Sequence, residues 1–364
     1  MQKSTIYVLG ALAILIVGAA VVSSLSSTPT TFSPNAPVNA TSTSVSGTTS
    51  TLPVLSIFEN RTSSQMPEFI GITNWWNTPY NQPLSPTSLK GKVVLVDFWT
   101  YSCINCIRTF PFIKSMEQKY ADKGLVIVGV HTPEFAFEAD PNNVAAEITK
   151  NGFTHPIALD PNYGTWNAYG NQYWPAEYFF DRNGQLRHTH FGEGNYDENE
   201  QVIRELLEEQ PSVKLDAMGT PIVAPDLSKI ETQETYFGLA RESSFLGHVG
   251  ESGKVTSYIL SSQVGADQWS IGGTWMFDQE YVETKAKNDV LRFSVQADKL
   301  HLVLDSADGS NKTVSVYVDG VKTRDITVNR STLYNVATFA DAQRHLVELR
   351  MPDAGVRFYS ATFS

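Results

Sequence analysis

Cys103 and Cys106 are the only cysteines of the 364-residue chain, and two residues separate them. The second sulfur follows the first by one helical turn, close enough to form a disulfide with it and to expel a partner thiol bound there. A thiol at the start of a helix faces unpaired backbone N–H groups and the positive end of the helix dipole, which favour the nucleophilic thiolate. The residue types and spacing therefore predict a dithiol that exchanges disulfides, with Cys103 attacking and Cys106 resolving.

Two other interpretations of the same pair are weaker. A structural zinc site commonly needs four ligands, and the chain has no second cysteine pair. A structural disulfide across so short a loop would remove little entropy from the unfolded chain. Redox chemistry is the function that these residues favour.

The elements on either side of the cysteines are those that would hold such a dithiol in place. The apolar run at residues 93–96 predicts a strand buried on both faces, and a helix is predicted to begin at the cysteines and to contain Pro111. Strand, Asp-Phe-Trp, Cys-x-x-Cys and helix together resemble a thioredoxin active site. The variant WTYSCINC, residues 99–106, resembles the extracytoplasmic part of DipZ-type proteins, which are relatives of the TlpA/ResA thiol-disulfide oxidoreductases.

This resemblance implies which carboxylates could serve as the base for Cys106. Asp97 occupies the position of a buried acid beneath the cysteines, and Glu134, after the next strand, that of an active-site glutamate. A buried carboxylate near a thiol has a raised pKa and can relay a proton at neutral pH. The alternative for each is a hydrogen-bonded structural acid. Glu177 is a third carboxylate, although the alternation of its strand leaves its direction open.

The resemblance also implies a substrate groove. Pro175 is predicted to be cis and to expose the backbone of Trp174 beside Cys103, where a substrate peptide could pair as an added strand. Trp99 and Trp174 are predicted to line this groove. Without the family pattern, both tryptophans would be predicted in the core.

The N-terminal part of the chain has two distinct segments. Residues 1–25 contain a charge-free apolar run preceded by Lys3 and predict a signal anchor, that is, a transmembrane helix with an extracytoplasmic C-terminal side. A cleaved signal peptide, giving a secreted protein, is the alternative. Residues 26–66, rich in Ser, Thr and Pro, predict a linker.

Three further segments follow the linker. Residues 67–210 alternate strand and helix signals and predict the α/β thioredoxin-like domain, and residues 211–230 predict a second linker. Residues 231–364 show apolar residues at every second position, as at 300, 302 and 304, which is typical of antiparallel strands with one wet face. The predicted fold class is an α/β thioredoxin fold followed by an all-β sandwich, jelly-roll-like, with an N-terminal transmembrane anchor.

One hairpin near the end of the α/β domain brings two histidines together. The turn at residues 181–184, Asp-Arg-Asn-Gly, predicts antiparallel pairing of residues 176–180 with 186–191. His188 and His190 then share a strand face and could hold a metal, but no third ligand is evident. No metal site and no cofactor are predicted.

The net charge of the chain limits the classes of partner that it can bind. A net charge of −11 argues against nucleic acid as the main partner. The expected function is a membrane-anchored extracytoplasmic thiol-disulfide oxidoreductase, acting on substrate proteins with disulfides as a reductase, with a CcdA-like membrane protein as electron donor. An oxidase or isomerase role is the alternative within this class. The β domain is similar to carbohydrate-binding modules, so a glycan- or protein-binding protein is the alternative outside it.

Overall fold

The computed structural model describes residues 65–364, except residues 221, 225, 229 and 342. The anchor predicted at residues 1–25 lies outside the described residues, and so does the linker predicted at residues 26–66 apart from its last two residues. In the part of the chain that is described, no helix has both the length and the apolar character needed to cross a membrane.

The first domain contains a six-stranded mixed sheet in the described range. Its strands are β1 (Asn74–Trp76), β2 (Val93–Trp99), β3 (Leu125–His131), β4 (Ile157–Leu159), β5 (Ala176–Phe180) and β6 (Leu186–Phe191). Its helices are α1 (Ile104–Tyr120), α2 (Pro141–Asn151), α3 (Gly164–Ala168) and α4 (Tyr196–Glu208), with 3-10 turns at Pro79–Asn81, Ala121–Lys123 and Ala136–Ala139. The strand order is β1-β4-β3-β2-β5-β6, with β2, β3 and β4 parallel and the other pairs antiparallel.

Strand β2 lies in the interior of the sheet, between β3 and β5. Both of its faces are covered, and all seven of its residues are buried. Val93 and Leu95 pack against α1 and α4, whereas the alternate residues pack against Trp166 and its neighbours. This arrangement is the thioredoxin fold. The predicted buried strand and the predicted hairpin of β5 and β6 are both confirmed.

In the described part of the second domain, all regular secondary structure is β-strand. These are β7 (Thr235–Tyr236), β8 (Val255–Tyr258), β9 (Trp269–Phe277), β10 (Val282–Thr284), β11 (Asp289–Val295), β12 (Lys299–Ser306), β13 (Lys312–Val318), β14 (Val321–Val328), β15 (Thr332–Thr338), β16 (His345–Met351) and β17 (Val356–Phe363). Strand β9 pairs with β11 through its first half and with β10 and β8 through its second half. It thereby joins the two layers of an all-β sandwich that is nearly a barrel.

The outer face of β12 differs from the sequence expectation. Leu300, Leu302 and Leu304 are fully buried in the core of the sandwich, as their alternation predicts. The opposite face was expected to be wet, yet His301 and Val303 are also buried. The reason is that the first domain covers this face, since Val303 belongs to a cluster that includes side chains from both domains.

Candidate active site

The two cysteines lie where β2 passes into α1. Cys103 is the N-cap residue of α1, and its Sγ accepts a hydrogen bond of 3.4 Å from the backbone N–H of Cys106. Both are free thiols in this structure, with Cys103 half-buried and Cys106 fully buried. An incoming disulfide can therefore reach Cys103 directly, whereas Cys106 reacts only with a sulfur already held at Cys103.

The surroundings of Cys106 oppose its ionisation. Burial raises the pKa of the Cys106 thiol well above its ordinary value, and the hydrogen bond with Cys103 adds to this shift. The negative charge of Asp97 acts in the same direction, and the backbone at Thr100 opposes it. Cys106 thus tends to keep its proton, and of the two thiols Cys103 is the one that an incoming group can reach.

Asp97 is the carboxyl group that the sequence predicted beneath the cysteines. It lies on β2, it is 2 % exposed, and its Oδ1 has no hydrogen-bond partner among the described residues. Burial raises the pKa of Asp97 to about 7. A carboxyl group that titrates near neutral pH, and whose charge acts on Cys106, can exchange a proton with that thiol.

Glu177 stands directly opposite Asp97 on the neighbouring strand β5. It is fully buried, and its Oε2 accepts a hydrogen bond of 2.7 Å from Asn199 Nδ2 of α4. Burial raises the pKa of Glu177 well above its ordinary value, and the charge of Asp97 raises it further. The alternation of β5 therefore brings Glu177 to the cysteine side of the sheet, which the sequence had left open.

Glu134 follows β3, as predicted, but its side chain is held by the β domain. Its Oε1 accepts hydrogen bonds from Tyr236 Oη at 2.8 Å and from Arg241 Nη1 at 2.7 Å. The Arg241 guanidinium also stacks over the Tyr236 ring at 3.8 Å. In this arrangement Glu134 connects the two domains.

Glu138, which was not predicted from the sequence, supports the loop before Cys103. Its carboxylate accepts hydrogen bonds from the N–H and the hydroxyl of Ser102, at 3.1 and 2.7 Å, and from the N–H groups of Glu134 and Phe135, at 2.7 and 3.0 Å. Burial raises the pKa of Glu138 to about 6, and the charge of Glu134 contributes. The available signal was an acidic residue at the third position of a short helical turn, where it can bond the N–H groups that precede it.

The prediction that Trp99 lines a substrate groove is wrong. Its side chain is 1 % exposed, because the rings of Phe110, His131 and Phe153 pack edge-on around it at 4.8 to 5.5 Å. Trp99 is therefore a core residue, as its type alone would have suggested.

Trp174 lies at a surface that both domains share, and the next residue, Pro175, is buried. The Trp174–Pro175 peptide bond is cis, which confirms that prediction. Trp174 is half-buried, and its Nε1 donates a hydrogen bond of 3.1 Å to the carbonyl of Thr132. It borders a cavity of about 280 Å³ whose walls include Glu134, Tyr163, Tyr236, Arg241 and Glu280.

The β domain touches the first domain at several points around the cysteines. Tyr101 Oη donates to the carbonyl of Ser331 at 3.4 Å, and Arg108 Nη1 donates to the carbonyl of Phe363 at 3.4 Å. Phe135 packs against Tyr359 with ring centroids 5.1 Å apart. The two sheets belong to one compact unit, so the β domain forms part of the surroundings of the dithiol.

His188 and His190 share a face of β6, as predicted, but their ring nitrogens differ in hydrogen bonding. His188 Nε2 lies 3.3 Å from Asn199 Oδ1, whereas the Nε2 of His190 has no hydrogen-bond partner in the described range. Among the residues that the structure describes, no three His, Cys, Asp or Glu side chains form a group that could hold a metal ion.

Comparison with known proteins shows similarity in both domains. Residues 62–207 match the Redoxin family, and residues 232–364 match the family described as thioredoxin like C-terminal domain. The chain is 37% identical to Protein DipZ of Mycobacterium bovis over 300 residues, which are 82% of this chain and 42% of DipZ. It thus spans less than half the length of that relative.

Two shorter relatives match a smaller part of the chain. Thiol-disulfide oxidoreductase YkuV of Bacillus subtilis is 31% identical over 144 residues, which are 40% of this chain and 95% of YkuV. Thiol-disulfide oxidoreductase ResA of Bacillus thuringiensis is 26% identical over 120 residues, which are 32% of this chain and 65% of ResA.

Proposed function

Because this chain belongs to the thioredoxin-like thiol-disulfide oxidoreductases, we propose that Cys103 and Cys106 are its redox pair and that it reduces disulfides in substrate proteins. The observation that carries the proposal is the contrast between the two thiols. Cys103 is accessible at the start of α1, and Cys106 is buried directly behind it with a raised pKa.

The reaction proceeds in two steps. The Cys103 thiolate attacks one sulfur of a substrate disulfide, a mixed disulfide forms, and the other substrate sulfur leaves as a thiolate that takes a proton from water. Cys106 then gives its proton to the Asp97 carboxylate and attacks the Cys103 sulfur, which releases the second substrate sulfur as a thiolate that is likewise protonated by water. The pair ends as a disulfide, and the substrate has gained two electrons and two protons.

The charges around the dithiol support the reductive direction. Strong oxidants have a stabilised reduced form, and the two residues between the cysteines, Ile104 and Asn105, offer no cation for a thiolate. The positive charge of the nearby Arg108 is balanced by Glu193, because the guanidinium forms two hydrogen bonds of 2.6 Å with the Glu193 carboxylate. An oxidase or isomerase would be expected to stabilise the thiolate more strongly.

The proposal includes a location outside the cytoplasm. The apolar run within residues 1–25 is suited to an N-terminal membrane anchor or to a cleaved signal peptide. A CcdA-like membrane protein would return electrons to the Cys103–Cys106 disulfide. A jelly-roll-like, carbohydrate-binding-module-like β domain would bring a glycan or a protein partner to the dithiol.

Reduction of insulin disulfides tests the proposal. The unchanged chain should reduce insulin with catalytic turnover, and Cys103→Ser should abolish this activity. Cys106→Ser should retain attack but stop at a mixed disulfide, which appears as a covalent adduct on non-reducing gels. The same variant, expressed in the source cell, should trap the physiological substrates. Unchanged insulin reduction by Cys103→Ser would exclude the proposal and favour a binding function of the β domain.

A further inference from the structure

A row of three titratable side chains crosses the first sheet from the cysteines to its edge. Asp97 of β2 is paired in register with Glu177 of β5, and Glu177 is paired with His190 of β6. Residues directly opposed on antiparallel strands point to the same face, with Cβ atoms about 4.5–5.5 Å apart. Since β6 is the edge strand, the row connects the interior below Cys106 with the border of the sheet.

The inner two members of the row are enclosed carboxyl groups with spare acceptor atoms. Asp97 and Glu177 are 2 % and 0 % exposed, and Oδ1 of the first and Oε1 of the second lack hydrogen-bond partners within the described residues. Two opposed carboxyl groups that are both buried do not both carry charge at neutral pH, so such a pair shares a proton. The raised pKa of each group is in accord with this.

The outer end of the row reaches side chains that meet solvent. His190 is half-buried, and its Nε2 has no partner in the part of the chain described. Burial lowers the pKa of His190, and the neighbouring His188 lowers it further, so the neutral imidazole, which has an open acceptor nitrogen, is favoured. The charged or titratable groups that act on the outer part of the row are Asp97 from β2, His188 from β6, and Tyr196 and Glu198 from α4.

We propose that Glu177 and His190 carry protons between Asp97 and solvent during each redox cycle. The proposal deepens the proposed function and rests on it, because it takes Asp97 as the base for Cys106. Cys106 is fully buried and Asp97 nearly so, so the proton that Asp97 receives needs a route that does not require the active site to open. Glu177 acts through Asp97 and not on the thiol itself, and is therefore a positioning residue.

The proton balance of the step is closed. When the Cys103–Cys106 bond forms, Cys106 loses its proton to Asp97, and the bond between Cys103 and the substrate sulfur breaks. Asp97 then protonates Glu177 on one oxygen while Glu177 releases the proton of the other to His190, and His190 gives a proton to water. The leaving substrate thiolate takes its proton from water, so one proton leaves the row for each one that enters.

Stopped-flow mixing of the reduced protein with Ellman's reagent separates the two chemical steps. The first release of coloured thiolate reports attack by Cys103, and the second reports resolution by Cys106. Because general acid–base assistance contributes about 10²–10⁴-fold to a rate, Glu177→Gln should slow the second release at pH 7 by about tenfold or more. The first release should stay within about twofold of the unchanged chain.

His190→Gln provides a second, more exposed variant and a chemical rescue. It should slow the second release by about threefold or more, and added imidazole should restore the rate, because a small base can replace the missing one at the sheet edge. A merely structural role would not respond to imidazole. Glu208→Gln, an exposed position on α4, is the matched control and should change neither release.

Failure of this proposal differs from failure of the proposed function. If the first release is absent in the unchanged chain, Cys103 is not a nucleophile and the proposed function fails. If the first release is normal but Glu177→Gln and His190→Gln leave the second release unchanged, the relay is excluded. Equal slowing of both releases, without imidazole rescue, would likewise overturn it and assign a structural role.

Discussion

The two sulfur atoms show how far neighbouring residues can differentiate identical side chains. Cys103 is the half-buried N-cap residue of α1, and Cys106, one turn later, is fully buried. Burial, the hydrogen bond with Cys103 and the charge of Asp97 raise the pKa of Cys106. The proposed division into an attacking and a resolving thiol rests on this difference in burial and in pKa.

Asp97→Asn should stabilise the protein at alkaline pH. The pKa of Asp97 is raised from 3.8 to about 7 in the folded state, so between these values the folded protein binds a proton that the unfolded chain does not. The free energy of unfolding then falls as the pH rises through this window and becomes level above it. At about 1.4 kcal/mol per pKa unit, the variant should gain on the order of 2–4 kcal/mol at pH 8 and almost nothing at pH 4. Urea unfolding at both pH values measures the difference.

The control for this prediction is Asp122→Asn, because Asp122 is exposed. Its free energy of unfolding should differ little from that of the unchanged chain at either pH. Equal free energies of unfolding for Asp97→Asn and the unchanged chain at pH 8 would show that ionisation of the buried carboxyl group does not destabilise the folded protein.

At the residue scale, the motif predicted the placement of some of the side chains around the dithiol and not of others. The cysteines were predicted from their type and spacing, and Asp97, in the same strand-turn-helix segment, from the resemblance to thioredoxin active sites. The placement of Glu138 and Glu177 depends on a loop conformation and on strand register, which sequence spacing alone does not determine. The expected catalytic role of Glu134 stays a prediction, and its observed contacts are with the β domain.

At the scale of elements, the short turn Ala136–Ala139 and the loop before α1 stabilise each other. Glu138 supplies the shared acceptor, since its two carboxylate oxygens accept four hydrogen bonds from three residues. This contact fixes Ser102, and with it the direction in which the chain enters α1.

Glu138→Gln should loosen this junction. A glutamine keeps one acceptor oxygen and presents an NH₂ group to donors, so about two buried donors lose their partners, at a total cost of about 2–4 kcal/mol. Urea unfolding at pH 7.5 should show the loss. Glu208→Gln, on the exposed side of α4, serves as the control with a change of about 0.5 kcal/mol or less. A loss no greater than that of the control would contradict the anchoring role.

Periodicity predicted the elements more reliably than it predicted their surroundings. The alternation along β12 correctly gave the strand and its core-facing leucines. It could not reveal that the other face is covered, because the covering residues come from the first domain, far away in sequence. Contacts of this kind depend on how two folded domains fit together.

At the scale of the whole molecule, the β domain is attached around the edge that carries the dithiol. A hydrophobic cluster of Phe135, Val303 and Tyr359 lies at this contact. The Glu134–Arg241 ion pair, at 2.7 Å, lies beside it. Any substrate that approaches Cys103 therefore meets a surface to which both domains contribute.

Phe135→Ala should weaken the attachment of the β domain. The ring is 1 % exposed and packs against Phe137 and Tyr359 at 5.6 and 5.1 Å, and truncating such a buried ring costs about 3–5 kcal/mol. Guanidinium unfolding should show this loss. Phe191→Ala, at a phenylalanine that is 41 % exposed, should cost about 1 kcal/mol or less. Similar losses in the two variants would mean that Phe135 does not hold the domains together.

The reduction potential of the Cys103–Cys106 pair tests the account most directly. Equilibration in graded dithiothreitol buffers, followed by alkylation and mass measurement, reports how many thiols remain at each potential. Both thiols should disappear together in one two-electron transition, with a midpoint nearer the value of thioredoxin, about −270 mV, than that of DsbA, about −120 mV. A midpoint near that of DsbA would contradict the reductive direction, and two thiols that stay alkylatable under all oxidising conditions would contradict the redox pair itself.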